Sequence, residues 1–402
     1  MMGQASSLSI RIQKNREIQS RKPDRQDAWP TKTVMRPAFA STQQTAAFAL
    51  LLLLLLLSPV LAGKKFLPSR EQAYATRSWG SAPFPWIQNQ IFQETNAIDI
   101  VFIGSSHILQ AVDTPYVQAQ LTGKLKRPAV ARTIAWGGAG YDALYLIAQD
   151  LLAHRKVRML VFYDENPHGK RNAQIPTLFR YGENAAALNG LSWRDQSLFF
   201  SAAIIGLPRN LLALVRPNLP AALVTTPPNY WEQHYGSAST VKLLGATCSE
   251  LGFNYDQLGD NFTKFVPFTP ATAVTPADVE IFSTNGKNDF EFSHEPLAAW
   301  ELHFARKLGE LAQTNGCRLV MLNLPVLADA GVKTLPQRAY WPDVFQADVT
   351  MLGIPSAKLF AGLTDEQLHW LFTNVAHFNK NGMAYFTPLT TPALLQLYED
   401  AR

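Results

Sequence analysis

The segment Ile98-Asp-Ile-Val-Phe-Ile-Gly-Ser-Ser-His107 constrains this chain more than any other. Ile98 to Ile103 is a mostly apolar run of β-branched and aromatic residues. That is the pattern of a strand buried on both faces, and so of a parallel sheet covered by helices. The run ends at Gly104, where a tight turn lets backbone come close to a ligand. Ser105, Ser106 and His107 follow at once. In open α/β sheets ligands sit outside the carboxyl ends of the strands, so these groups fall where chemistry is usually done. The plainer reading of the same residues is a polar turn in which Ser105 or Ser106 caps the next helix.

The remaining pattern agrees with such a sheet. Further strands are predicted at Thr133–Trp136, Val157–Tyr163 and Arg318–Asn323, with a weaker one near Ala357–Phe360. Between the second and third, Leu144, Ile147, Ala148, Leu151 and Leu152 fall on one face of a helix over Tyr141–His154. A second helix runs from about Glu295 to Thr314, with Pro296 suited to its first turn and Gly316 to its end. Alternating strands and helices argue a parallel sheet with helices on both faces. Residues 166–292 interrupt the alternation with a proline-rich, partly aromatic stretch and one helical run near Phe199–Leu214. This reads as a largely helical or irregular insertion over the carboxyl edge of the sheet, a place that often selects substrate.

Ahead of the domain the chain changes character twice. Residues 1–45 carry eight Lys/Arg against Glu17, Asp24 and Asp27 and have no apolar period, so they read as a disordered tail. That tail alone accounts for the formal charge of +5, and a near-neutral remainder gives no nucleic-acid surface. Residues 46–62 are apolar, with an unbroken run from Leu50 to Leu57, just long enough to span a bilayer. The basic flank puts the tail in the cytoplasm and everything beyond Lys64 outside. Val60-Leu61-Ala62 alternatively suits a signal-peptide cleavage site, and Met35 a later start. Both readings export the rest of the chain. Residues 63–96, with Trp79 and Trp86, look like a connector that packs aromatics onto a domain spanning 97–402. Cys248 and Cys317 form neither a zinc cluster nor a disulfide framework, and Cys317 suits a small buried apolar role.

Four clusters sit at the ends of these elements: Gly104-Ser-Ser-His107, Trp136-Gly-Gly-Ala-Gly140, Tyr163-Asp-Glu-Asn-Pro-His168 and Asn374-Val-Ala-His-Phe-Asn-Lys-Asn-Gly382. A serine, a glycine amide, an asparagine and a histidine from separate strand ends are what acyl transfer needs. The hydroxyl is a weak nucleophile until a base takes its proton. The tetrahedral oxyanion needs fixed donors, each worth roughly 10²–10³ in rate.

Phe102-Ile-Gly-Ser-Ser-His107, the glycine turn after the second strand and His377-Phe378-Asn379-x-x-Gly382 together resemble the SGNH (GDSL-type) hydrolase superfamily, in particular its exported bacterial branch. The resemblance covers roughly residues 97–168 and 295–387. It implies a flavodoxin-like, three-layer α/β domain of about five parallel strands. It also implies Ser106 as nucleophile and amide donor, Gly138 or Gly137 as second amide, Asn166 as oxyanion asparagine and His377 as base, with no cofactor. The family's aspartate lies three residues before the histidine, where this chain has Asn374, and Asp365 is the nearby substitute. An amide can orient an imidazole but cannot stabilise imidazolium as a carboxylate does.

By the same resemblance the substrate is an O-acylated carbohydrate or another ester, of the envelope or outside the cell. Polysaccharide-modification proteins would be partners, and the inner membrane would be reached through residues 46–62. The domain would stand in the periplasm, or be secreted if cleaved after Ala62. The competing class is a non-catalytic envelope protein that binds glycan in the same cleft. A lipid esterase would need an apolar channel lined by the insertion.

Overall fold

A computed structural model describes residues 41–61, 67–75, 87–136, 140–163, 175–215, 274–282, 297–327, 341–364, 367–368, 371–372, 377–378 and 380–400. Among them six strands form one sheet in the order β2-β1-β3-β5-β6-β4. The strands are β1 (Ile98–Ser105), β2 (Ala131–Trp136), β3 (Val157–Tyr163), β4 (Glu280–Phe282), β5 (Arg318–Leu322) and β6 (Val349–Gly353). All pairings are parallel except β4 with β6. Every residue of β1 is buried, as a continuous apolar run without alternation requires of a central strand.

The principal helices are α1 (Thr42–Leu61), α2 (Arg70–Ala75), α3 (Ser106–Ala111), α4 (Thr114–Leu125), α5 (Tyr141–His154), α6 (Trp193–Val215), α7 (Ala299–Thr314), α8 (Ser356–Leu359) and α9 (Lys380–Asp400). The helix α5 packs on α7, and α9 packs on α3 and α4. Such grouping follows from right-handed crossovers on either side of a strand order that reverses between β2 and β3. The apolar stripe read at the sequence level is the buried face of α5, with Leu144, Ile147, Ala148, Leu151 and Leu152 all in the core.

Two expectations are corrected. Ala357–Phe360 is not a strand, because α8 occupies that stretch and the strand lies just upstream as β6. Pro355 explains the switch: it has no N–H to extend a ladder, and it takes the N-cap position of α8 with φ −52° and ψ 133°. The sheet also has a sixth strand drawn from residues 166–292. Three residues of that stretch, β4, pair antiparallel at the β6 edge, so the described part of the insertion extends the sheet as well as supplying α6. Cys317 is buried where β5 begins and its Sγ contacts the Val157 carbonyl at 2.9 Å. Burial pushes this thiol up to about 11, consistent with a packing role. Cys248, Trp79 and Trp86 lie outside the described residues.

The helix α1 has 20 residues with a mean hydropathy of 2.2, long and apolar enough for a signal segment or a membrane anchor. It begins at Thr42, four residues earlier than its apolar run alone indicates. Farther on, the connector is clasped to the domain. Arg70 of α2 forms a two-pronged ion pair with Asp150 of α5 and also donates to the Leu178 carbonyl. Tyr74 reaches the same carboxylate at 2.7 Å. The fully buried Arg180 holds the Pro68 and Ser69 carbonyls, the latter at 3.1 Å.

Candidate active site

Strand β1 delivers the chain to the carboxyl edge of the sheet, and Gly104 decides how it leaves. A Cβ there would stand 2.9 Å from Cδ1 and Cε1 of Tyr163 and 3.2 Å from Cγ2 of Ile108. Only glycine lets the Tyr163 ring close over the strand end. The Tyr163 hydroxyl then hydrogen-bonds Ser105 Oγ, and the same oxygen accepts from the His107 N–H at 3.3 Å. Ser105 is thus the N-cap of α3, extended at φ −103° and ψ −167°. Ser106 is the first helical residue, and its half-buried side chain is left for another task.

That side chain meets His377. Ser106 Oγ and His377 Nε2 are 2.8 Å apart, although the residues are 271 positions apart in the chain. His107 stands beside them, its ring edge-on to His377 with centroids 4.3 Å apart and to Tyr163 with centroids 5.4 Å apart. Burial lowers His377 from its ordinary value, which favours the neutral imidazole. With its proton on Nδ1, Nε2 is the acceptor a hydroxyl nucleophile needs.

Among the described residues, aromatic packing and one glycine back the residue next to His377. Phe378 forms an antiparallel bridge with Phe372, with ring centroids 4.7 Å apart. Phe378 also packs on Phe386 of α9 at 5.6 Å. Gly382 in the first turn of α9 lies so close that a Cβ would fall 2.3 Å from the Leu371 carbonyl oxygen and 2.4 Å from Cδ1 of Phe378. One turn farther on, Thr387 ties this helix to the serine's. Its Oγ1 donates to the Ala111 carbonyl at 3.1 Å and accepts from the Asp113 N–H at 3.0 Å. The base and the nucleophile therefore ride on elements joined directly to each other.

Of the sequence-predicted residues, Ser106 and His377 are brought together. Gly137, Gly138, Asn166, Asn374 and Asp365 lie outside the described residues. The strand ends that lead into three of them flank the serine, since β2 and β3 are the two neighbours of β1 and Trp136 pairs with Ser105. The sequence pattern assigns neither Tyr163 nor Thr387 a role beside the serine. Tyr163 opens one of the four strand-end clusters but carries no sign of a contact with Ser105, and Thr387 carries no local signal at all. A pocket of about 480 Å³ near Cys317, Arg318, Ala347 and Asp348 opens at the opposite, amino edge of the sheet. It lies away from the serine–histidine pair.

No protein-family model matches the sequence, and no curated protein matches it.

Proposed function

We propose that this chain is an exported, membrane-anchored serine hydrolase or O-acyltransferase of the SGNH type, with a flavodoxin-like, three-layer domain. One observation carries the reading: Ser106 Oγ lies 2.8 Å from Nε2 of a half-buried histidine, lowered by that burial, at the carboxyl edge of a parallel sheet. In the reaction Ser106 Oγ attacks the carbonyl carbon of an ester while its proton passes to His377 Nε2. The tetrahedral intermediate collapses, the ester C–O bond breaks, and the departing alcohol takes the proton from His377. The acyl group on Ser106 then goes to water, giving hydrolysis, or to a second hydroxyl, giving transfer. Backbone amides of Ser106 and Gly138 or Gly137, with Asn166, are the oxyanion donors the resemblance implies.

Export and anchoring rest on α1 and on the basic residues ahead of it. An O-acylated glycan of the envelope is the substrate class that the resemblance to exported SGNH proteins favours. Asn374 at the family's aspartate position favours a second reading, a glycan-binding cleft without turnover.

Covalent labelling separates the two readings. A fluorophosphonate probe needs an activated serine and no knowledge of the substrate. The wild-type chain should label, Ser106→Ala should not, and His377→Ala should label about 10²–10⁴-fold more slowly. A folded wild-type protein that fails to label overturns the catalytic reading and leaves the binding one.

A further inference from the structure

An exposed helix face normally turns polar residues outward, but α6 exposes large apolar ones as well. Its inner face is Phe199, Ala202, Ala203, Gly206 and Asn210, at helical spacing and buried. Phe199 seats against Phe304 of α7 with centroids 5.1 Å apart. Its outer side carries large apolar side chains among Arg194, Ser197 and Ser201: Trp193 is 84% exposed, Leu198 38%, Ile205 57% and Leu211 39%. Apart from α1, these are four of the five large apolar side chains left exposed among the described residues, Ile281 being the fifth. Apolar side chains scattered singly need no explanation, but four on the outer half of one helix do.

Where α6 lies suggests what covers it. The helix α2 packs against α6. The Pro68 and Ser69 carbonyls just ahead of α2 are pinned by Arg180. Only residues 62–69 separate α2 from the end of α1, a length that extends no more than roughly 30 Å. The chain thus enters the domain beside α6, on a tether too short to swing it far from a membrane that holds α1. In sequence α6 has Arg194 and Arg209 against the single acid Asp195, a balance suited to anionic headgroups.

We infer that α6 is a second, monotopic membrane contact, its Trp193–Leu198–Ile205–Leu211 face lying in the lipid interface. The inference rests on the anchor role proposed for α1. It holds the domain in one orientation on the bilayer instead of letting it turn freely on its tether. Tryptophan at the end of such a helix suits the headgroup level, with the aliphatic residues deeper.

The test uses the full chain in vesicles of phosphatidylethanolamine and phosphatidylglycerol, with a specific protease site placed within residues 62–66. After cleavage the wild-type domain should stay with the vesicles. A variant with Trp193→Ser, Leu198→Gln, Ile205→Gln and Leu211→Gln should be released, because losing even one such side chain changes partitioning by about tenfold. A double variant, Trp193→Ser with Ile205→Gln, gives an intermediate release and guards against misfolding of the fourfold one. Equal release of wild type and variants, or equal retention, overturns the inference. If the uncleaved fourfold variant already leaves the vesicles while the uncleaved wild type stays, α6 is the contact and the anchor role of α1 fails.

Discussion

Gly382→Ala asks whether the serine–histidine distance is set by the packing beneath it. The added methyl would begin 2.3 Å from the Leu371 carbonyl oxygen and 2.4 Å from Cδ1 of Phe378. Carbon pairs rest at about 3.5 Å or more, so the Phe378 ring has to retreat by about 1 Å. It has little room to turn aside, because Phe372 and Phe386 hold it at centroid distances of 4.7 and 5.6 Å. The strain passes instead along the backbone to His377, one residue away. If the shift is transmitted in full, the 2.8 Å contact with Ser106 opens to nearly 4 Å, beyond hydrogen-bonding range. Overpacking of this kind costs about 1–3 kcal/mol. The better helix propensity of alanine returns up to about 1 kcal/mol, so the net loss of stability is modest. The functional loss is not, because misplacement by about 1 Å is worth roughly 10²-fold in rate.

The assay is fluorophosphonate labelling of the folded fraction, read beside urea unfolding of the same sample. Gly309→Ala is the matched control. Its Cβ would fall 2.0 Å from the Phe345 carbonyl oxygen, so it overpacks at least as badly, but where α7 meets the chain ahead of β6. Gly309→Ala should lower stability and leave the labelling rate of folded protein alone. Gly382→Ala should do the reverse in proportion. Unchanged labelling in a measurably destabilised Gly382→Ala protein would refute the idea that Phe378 positions the base.

Two pH-dependent predictions follow from buried groups. Because burial lowers His377, the acid limb of the labelling rate should fall below the ordinary histidine value of about 6.5, with the neutral base intact at pH 7; a midpoint at or above that value would be the contrary result. Asp113 is buried at the N-cap of α4 and pushed up to about 6, by desolvation that the Tyr116 N–H only partly offsets. Its folded state binds the proton more tightly, so the stability this group contributes is full below about pH 4 and lost as pH rises through about 6. Asp113→Asn keeps the capping oxygen and removes the buried charge. Urea unfolding should show it more stable than wild type by on the order of 2 kcal/mol at pH 8 and little different at pH 4, whereas an unaltered pH dependence would contradict the assignment.

The parts of the fold that were legible in the sequence are those where one local signal was enough. Val157–Tyr163 is apolar but for Arg158, with no competing period, and its strand boundaries coincide with the reading. The errors lie where the signal was short. Ala357–Phe360 is four residues of apolar or long side chains, which periodicity alone cannot assign to strand or helix. The decision came from Pro355, and with β6 placed upstream the three residues of β4 found a partner that no local pattern announces. At the site, Ser106 and His377 were readable as a constellation of strand-end residues. The parts that fix their distance were not, because Gly382 against Phe378 and Thr387 against Ala111 are contacts between distant stretches with unremarkable local sequence.

The opening motif also shows why capping and chemistry were never rival readings of Ser105-Ser106. A helix N-cap side chain folds back onto the N–H groups of the first turn, while the next residue projects from it. Ser105 takes the first position, bonding the His107 N–H and the Tyr163 hydroxyl, and leaves Ser106 to face His377. In the resembling family the first position often holds aspartate, which is an equally good N-cap. Serine keeps the turn without a negative charge at the strand end that carries His107 and meets His377. A carboxylate there would favour their protonated forms and raise the base's pKa. Burial sets the direction of the His377 shift, toward the neutral base.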